Sequence, residues 1–163
     1  MARNMLVVTH PGRPDALEAA HSVIRALQAS GVTAVVARAQ APAISEGLEN
    51  PPEVVDGGEG LSDIELGIVL GGDGTILLAA ELLRGSGAPL LGVNLGHVGF
   101  LAESEKDDLG VTIEQVLAQN YDVDERLALD VVVTHGSDEL FRTFALTRRP
   151  SRKPIVLAWS KLP

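Results

Sequence analysis

Residues 64 to 84 constrain this chain more than any other stretch. Ile64-Glu65-Leu66-Gly67-Ile68-Val69-Leu70 is a short apolar run suited to a strand buried on both faces. Ile76 to Arg84 consists of strong helix formers, with Glu81 and Arg84 on the polar side. Between them stands Gly71-Gly72-Asp73-Gly74-Thr75, a turn with three glycines and one carboxylate. Two readings of this corner stand. In one, Asp73 or Thr75 caps the helix and Gly-Gly makes a tight βα turn. In the other, the loop's N–H groups face an anion at the helix start, and glycine lets the backbone come close to a ligand. A cap does not call for three glycines; a phosphate loop does. The pattern is neither G-x-G-x-x-G nor G-x-x-x-x-G-K-[ST], because no lysine follows. An acid stands where a P-loop would use a cation.

The flanking sequence predicts an α/β alternation. Asn4 to Thr9 reads as a buried strand that runs into His10-Pro11-Gly12-Arg13-Pro14-Asp15. Pro14 suits a first helical turn, and Asp15 and Glu18 suit its positive end. Leu17, Ala20, Ile24 and Leu27 form a helical stripe to about Ser30, where Gly31 stops it. Val32 to Arg38 is a second β-branched strand, which makes a βαβ unit with a right-handed crossover. Residues 39 to 62, rich in Pro, Gly and acid, read as a loop with at most a short helical piece. After the central corner, Ala88 to Asn94 is a further strand and Asp107 to Gln119 a helix weakened by Gly110. From Tyr121 the character changes. Leu127 to Thr134 and Glu139 to Leu146 are strand-like, joined at His135-Gly136-Ser137-Asp138 by a hairpin signal.

The expected fold is therefore α/β: a Rossmann-like parallel sheet with helices on both faces, then the first antiparallel strands of an incomplete β domain. The expected divisions are 1–120 for the loop-bearing α/β domain, 121–146 for the start of an all-β domain, and 147–163 for a basic tail. A lone hairpin is marginal by itself, so 121–146 must pack on the body.

Composition narrows the function. The net charge of −9 argues against a broad nucleic-acid footprint. Five of the 13 basic residues, and no acid, lie in 147–163 (Arg148, Arg149, Arg152, Lys153, Lys161); residues 1–146 carry a formal −14. With no cysteine there are no disulfides and no thiolate metal sites. The four histidines lack metal-ligand spacing, so no protein metal site is expected; His10 and His97 read as turn or surface residues. Met5-Leu6-Val7-Val8 is too short for a signal peptide or membrane span, so a cytoplasmic protein with no membrane partner is the expectation.

A second motif follows the strand that ends at Asn94: Gly92-Val93-Asn94-Leu95-Gly96-His97-Val98-Gly99-Phe100-Leu101. Its glycines bend the chain just beyond a strand's C-terminal end, where open α/β sheets bind ligands. Asn94 can donate and accept hydrogen bonds, and Phe100 offers a face to a purine. Equally, Phe100 and Leu101 can be core residues and Asn94 a turn residue.

Taken together, the two motifs and the His10-Pro11-Gly12-Arg13-Pro14 start resemble the NAD kinase family, from the first strand to about Leu146. Gly71-Gly72-Asp73-Gly74-Thr75 alone is also similar to loops of 6-phosphofructokinases and of diacylglycerol and sphingosine kinases; the second motif favours NAD kinase. The resemblance implies transfer of a phosphoryl group from ATP or a similar donor, with Mg²⁺ or another divalent cation, to the adenosine ribose 2′-hydroxyl of NAD. Asp73 would be the catalytic carboxylate. The NAD-binding set would be Asp73, Gly74, Thr75, Asn94, Phe100 and Leu101, with Gly71 and Gly72 opening the backbone to phosphate. A homo-oligomer is implied for the full-length family. Other classes compatible with the residues are a nucleotide-binding fragment without turnover, and a diacylglycerol-kinase-like or phosphofructokinase-like enzyme.

Two departures from the family pattern stand out. Many relatives carry a basic residue a few places after the glycine-acid loop, where this chain has Leu77 and Leu78. Further on, the family follows Ala-Leu with an Asn-Glu pair that binds NAD and then a β-rich domain that completes the site. Here Ala145-Leu146 leads into Thr147-Arg148-Arg149-Pro150-Ser151-Arg152-Lys153-Pro154. With suitable codons, one base restored before codon 147 yields Asn-Glu-Ala-Thr-Val-Glu-Lys-Ala, so a frame slip is the expected origin of the tail, the alternative being a natural short variant with a basic tail.

Overall fold

The computed structural model describes residues 3–56, 58–95, 104–105, 108–146 and 155–161. The elements run β1 (Asn4–Thr9), α1 (Pro14–Ala29), β2 (Thr33–Ala37), α2 (Ala41–Ser45), β3 (Glu53–Val55), a 3-10 turn (Gly58–Leu61), β4 (Ile64–Leu70) and α3 (Asp73–Leu82). They continue with β5 (Leu90–Asn94), β6 (Ser104–Glu105), α4 (Leu109–Leu117), β7 (Asp122–His135), β8 (Asp138–Leu146) and β9 (Ile155–Lys161).

The strand order β3-β2-β1-β4-β5 is parallel throughout, as continuous apolar strands require when both faces are covered. Alternation along β1 divides its side chains between two cores. Met5 and Val7 join α1 and α4 residues such as Ile24, Leu27, Ile113 and Val116 on one face. Leu6 and Val8 join Ile76, Ala79, Ala80 and Leu83 around α3 on the other. Helices thus cover both faces, as the sequence predicts. Gly67 sits where β4 meets the second core, and a Cβ there would lie 2.6 Å from both Leu83 Cδ1 and Leu90 Cδ2. A side chain there would have to push both leucine methyls aside.

At the N-terminal edge of the sheet, Arg3 ties three elements together. Its Nε and Nη2 donate to Glu65 at 2.8 and 2.7 Å, and its Nη1 and Nη2 donate to the carbonyls of Leu117 and Val116 at 2.8 and 3.2 Å. A cation at the last turn of α4 supplies a donor to the Leu117 carbonyl and a second one to the Val116 carbonyl, which also accepts from the Gln119 N–H at 3.0 Å.

Some boundaries differ from the sequence reading, each for a physical reason. Helix α3 begins at Asp73 and not at Ile76, because Gly72 already takes the cap position. The 39–62 segment holds a short strand, β3, since the β-branched pair Val54-Val55 finds the open edge of β2. β7 begins at Asp122, ahead of Leu127. Past Pro154, Ile155–Lys161 forms a strand that the sequence reading did not foresee; it pairs parallel to β7 and meets β5 at Leu90↔Leu157. The 147–154 part of the tail and residues 162–163 lie outside the described residues.

The hairpin β7–β8 closes through Gly136-Ser137, with His135 opposite Asp138. Its body end packs on the α3 core through Phe144 and Leu146, and the Arg84 guanidinium lies 5.7 Å from the Phe144 ring centroid. Toward the turn it stays exposed, with Leu129, Val131, Val132, Val133, Leu140 and Phe141 all in solvent contact.

Candidate active site

The site begins with a reversal in strand order. From β1 the chain passes through α1 to β2 on one side, whereas β4 lies on the other side of β1 and feeds α3 on the opposite face. The loops leaving β1 and β4 therefore part from each other at the C-terminal ends of these strands, the arrangement that leaves a crevice in open α/β sheets. In open α/β sheets this is where ligands bind.

Hydrogen bonds fix the floor of the crevice. The buried Thr9 hydroxyl donates to the Leu70 carbonyl at 3.1 Å, and the Gln40 side-chain amide donates to the Thr9 carbonyl at 2.5 Å. From the other side, the Gly71 N–H donates to the Val93 carbonyl at 3.1 Å. The entry to the glycine turn is thus pinned to both neighbouring strands. Gly71 has φ 157°, and a Cβ on it would stand 2.6 Å from Thr75 Oγ1. Thr75, 8% exposed, lies under the turn and holds it closed.

Gly72 is the N-cap of α3, and the amides of Thr75 and Ile76 both donate to its carbonyl, at 3.0 and 3.1 Å. Asp73 and Thr75 are inside the helix, so neither occupies the cap position. Of the two readings of this corner, capping is set aside. Asp73 is half-buried in the first turn, where the helix dipole favours a carboxylate. A Cβ at Gly72 or Gly74 would meet no described atom within 4 Å, so packing does not demand glycine at either place. Among the described residues, the space beside both is open.

Asn94, also half-buried, follows Val93, which is paired with Leu70. It therefore stands beside Gly71 at about the 4.8 Å spacing of neighbouring strands. Arg13 comes in from the loop after β1. Its guanidinium makes a two-pronged contact to Asp15, at 3.2 and 2.5 Å, and its Nη2 lies 3.5 Å from the Leu95 carbonyl. This guanidinium holds the Asp15 carboxyl below its ordinary range. In the same loop, the exposed His10 Nδ1 accepts a hydrogen bond from the Gly12 N–H at 3.1 Å.

Of the residues singled out in the sequence, Gly71, Gly72, Asp73, Gly74, Thr75 and Asn94 share one end of the sheet. Phe100 and Leu101 lie outside the described residues, as does His97. Leu77 and Leu78, where a cation would stand in many relatives, are 44% and 45% exposed on α3. Among the described residues no three His, Cys, Asp or Glu side chains cluster as metal ligands, and no helix is long and apolar enough to cross a membrane. Sequence reasoning missed Thr9, Gln40 and Arg13. Thr9 carried a signal, being the polar end of an otherwise apolar strand; Gln40 carried none.

Residues 5–121 match the family model of the ATP-NAD kinase N-terminal domain. The chain is 46% identical over 162 residues to an NAD kinase of Leifsonia xyli subsp. xyli, covering 93% of this chain and 50% of that protein. To an NAD kinase of Thermobifida fusca it is 45% identical over 161 residues, covering 97% and 46%. A crystal structure of yeast NADH kinase complexed with NADH shares the fold with a TM-score of 0.70 at 24% identity, over 88% of this chain and 46% of that one. The chain spans about half the length of the curated relatives it matches. With its family-model match running from β1 to the end of α4, and with relatives of this similarity, the chain belongs to the NAD kinase family.

Proposed function

We propose that this chain carries the phosphate-loop half of an NAD kinase, which transfers a phosphoryl group from ATP to the adenosine ribose 2′-hydroxyl of NAD to give NADP. The observation that carries the proposal is Asp73, a half-buried carboxylate at the start of α3, on a glycine turn at the point where the strand order reverses. Phosphoryl transfer asks chiefly for positioning and charge neutralisation, and an unactivated hydroxyl gains from a carboxylate that orients it or takes its proton. Asp73 has that role. The open space beside Gly72 and Gly74 lets phosphate or ribose reach the backbone, and Thr75 keeps the turn in shape beneath it. Asn94 offers both a donor and an acceptor across from Gly71. Phe100 and Leu101 complete the adenosine contact in this reading.

Mg²⁺ fits such a site, since it is commonly held by one or two carboxylates together with substrate phosphates; Asp73 is the carboxylate available here. Bound there, it would neutralise charge on the transferring phosphoryl group. The family reading also carries a cytoplasmic location and a homo-oligomeric full-length protein.

Formation of NADP from NAD and Mg-ATP is the test, with Asp73→Asn as control and NAD affinity measured beside it. Turnover by the wild-type chain at least about a hundredfold above the control supports catalysis. A second reading, binding without turnover, is favoured by Thr147-Arg148 standing where the family pattern has an Asn-Glu pair. NAD binding with rates equal to the control selects it. A folded chain that neither binds NAD nor turns it over refutes both.

A further inference from the structure

The loop after β4 has an acid where a P-loop has a cation, and the helix that follows presents Leu77 and Leu78 where many relatives carry a base. A bound polyphosphate would then face Asp73 with no positive side chain from the loop or α3. The fold supplies one from elsewhere. β1 and β5 flank β4, so they stand about two strand spacings apart, near 9.6 Å. Arg13 belongs to the loop leaving β1, yet its Nη2 comes within 3.5 Å of the carbonyl of Leu95, just past β5. The guanidinium thus reaches from the β1 side to the end of β5, past the strand β4 that lies between them. Asp15, two residues away, does not dictate this direction, because an ion pair so local could form with the side chain turned to solvent. Guanidinium also has five N–H donors in a planar fork, more than its contacts among the described residues use.

We propose that Arg13 is a phosphate-binding residue: it meets the polyphosphate of the bound nucleotide over the end of β4 and replaces the cation missing from α3. Asp15 holds the guanidinium in place when the crevice is empty. This inference rests on the nucleotide reading above and deepens it.

The test compares the affinities of ADP and adenosine by calorimetry for the wild-type chain, Arg13→Ala and Arg13→Lys. Unfolding temperatures without ligand check that the variants fold. The wild type should bind ADP more tightly than adenosine. Arg13→Ala should lose about tenfold or more in ADP affinity, as expected for a charge-assisted contact, while adenosine binding changes less than about twofold. Arg13→Lys should recover part of the loss, since it restores charge without the fork. Equal losses for ADP and adenosine would make Arg13 a structural clip between two loops and overturn the proposal. Unchanged ADP affinity in Arg13→Ala would overturn it as well. If the folded wild-type chain binds neither ADP nor NAD, the nucleotide reading itself fails, and the role of Arg13 falls with it.

Discussion

Replacing Gly71 by alanine probes whether the glycine turn is a built shape or a permissive loop. A Cβ at this position would lie 2.6 Å from Thr75 Oγ1, 3.1 Å from Thr75 Cβ and 3.4 Å from Thr75 Cγ2. Thr75 cannot easily turn away, because a β-branched side chain in a helix has few χ1 choices and this one is buried. Forcing an extra methyl into such a contact costs about 1–3 kcal/mol. The φ of 157° adds strain of about 1–3 kcal/mol for a residue with a side chain. Gly71→Ala should thus destabilise the fold by about 2–5 kcal/mol, read as a lower urea midpoint with an unchanged slope. Thr75→Ala removes the hydroxyl and the methyl in the way but leaves the Cβ at 3.1 Å and the strain. In a double-mutant cycle the pair should therefore cost less than the sum of the singles, by about 1–3 kcal/mol. A Gly71→Ala chain within about 0.5 kcal/mol of wild type, or singles that simply add, would refute this account of the turn.

The Arg3–Glu65 pair gives a pH prediction. Hydrogen bonds from Arg3 are the largest influence on Glu65 and lower its pKa from the usual 4.5. A depressed carboxyl stabilises the fold fully above its unfolded value, and that contribution is lost as pH falls through the folded one. Stability measured by urea titration between pH 7 and 3 should decline below about 4.5, and Arg3→Ala should flatten that decline. At neutral pH the same change should cost about 1–3 kcal/mol, since the Leu117 carbonyl loses the Arg3 donor while the Val116 carbonyl keeps the Gln119 N–H. On the hairpin, Leu140→Lys and Phe141→Lys should alter stability by less than about 0.5 kcal/mol, because both side chains are exposed. They should also lower self-association in sedimentation experiments, as a charge on a free apolar strand discourages pairing. Unchanged association would exclude β8 as a sticky edge.

The parallel half of the fold was legible in the sequence for a simple reason. Strands such as Met5-Leu6-Val7-Val8 and Ile68-Val69-Leu70 are buried on both faces, so they show as unbroken apolar runs between helices with a clear stripe. Gly71-Gly72-Asp73-Gly74-Thr75 was legible as a turn between a strand and a helix, because three glycines and an acid interrupt two apolar runs. β3 was hidden among prolines and acids, since a three-residue edge strand is made by its neighbour's open hydrogen-bonding groups more than by its own residues. The helix start was misplaced because Thr75 looks like a cap by type, while its hydroxyl in fact packs under Gly71. Gln40 could not be read at all, and Arg13 entered only as part of the His10-Pro11-Gly12-Arg13-Pro14 start, without a role. What brings them to the site is strand order, and one-dimensional spacing does not contain it.

Titration of the isotopically labelled chain with NAD, followed through backbone amide resonances, asks most directly whether ligand sits where the strand order reverses. The largest shifts should fall on Gly71 to Thr75 and on Asn94, with Thr9 and Arg13 next and the β7–β8 turn unmoved. Saturable shifts confined to the hairpin, or to the opposite edge around Arg3 and Ala118, would place the ligand elsewhere and remove the basis for any catalytic role of Asp73.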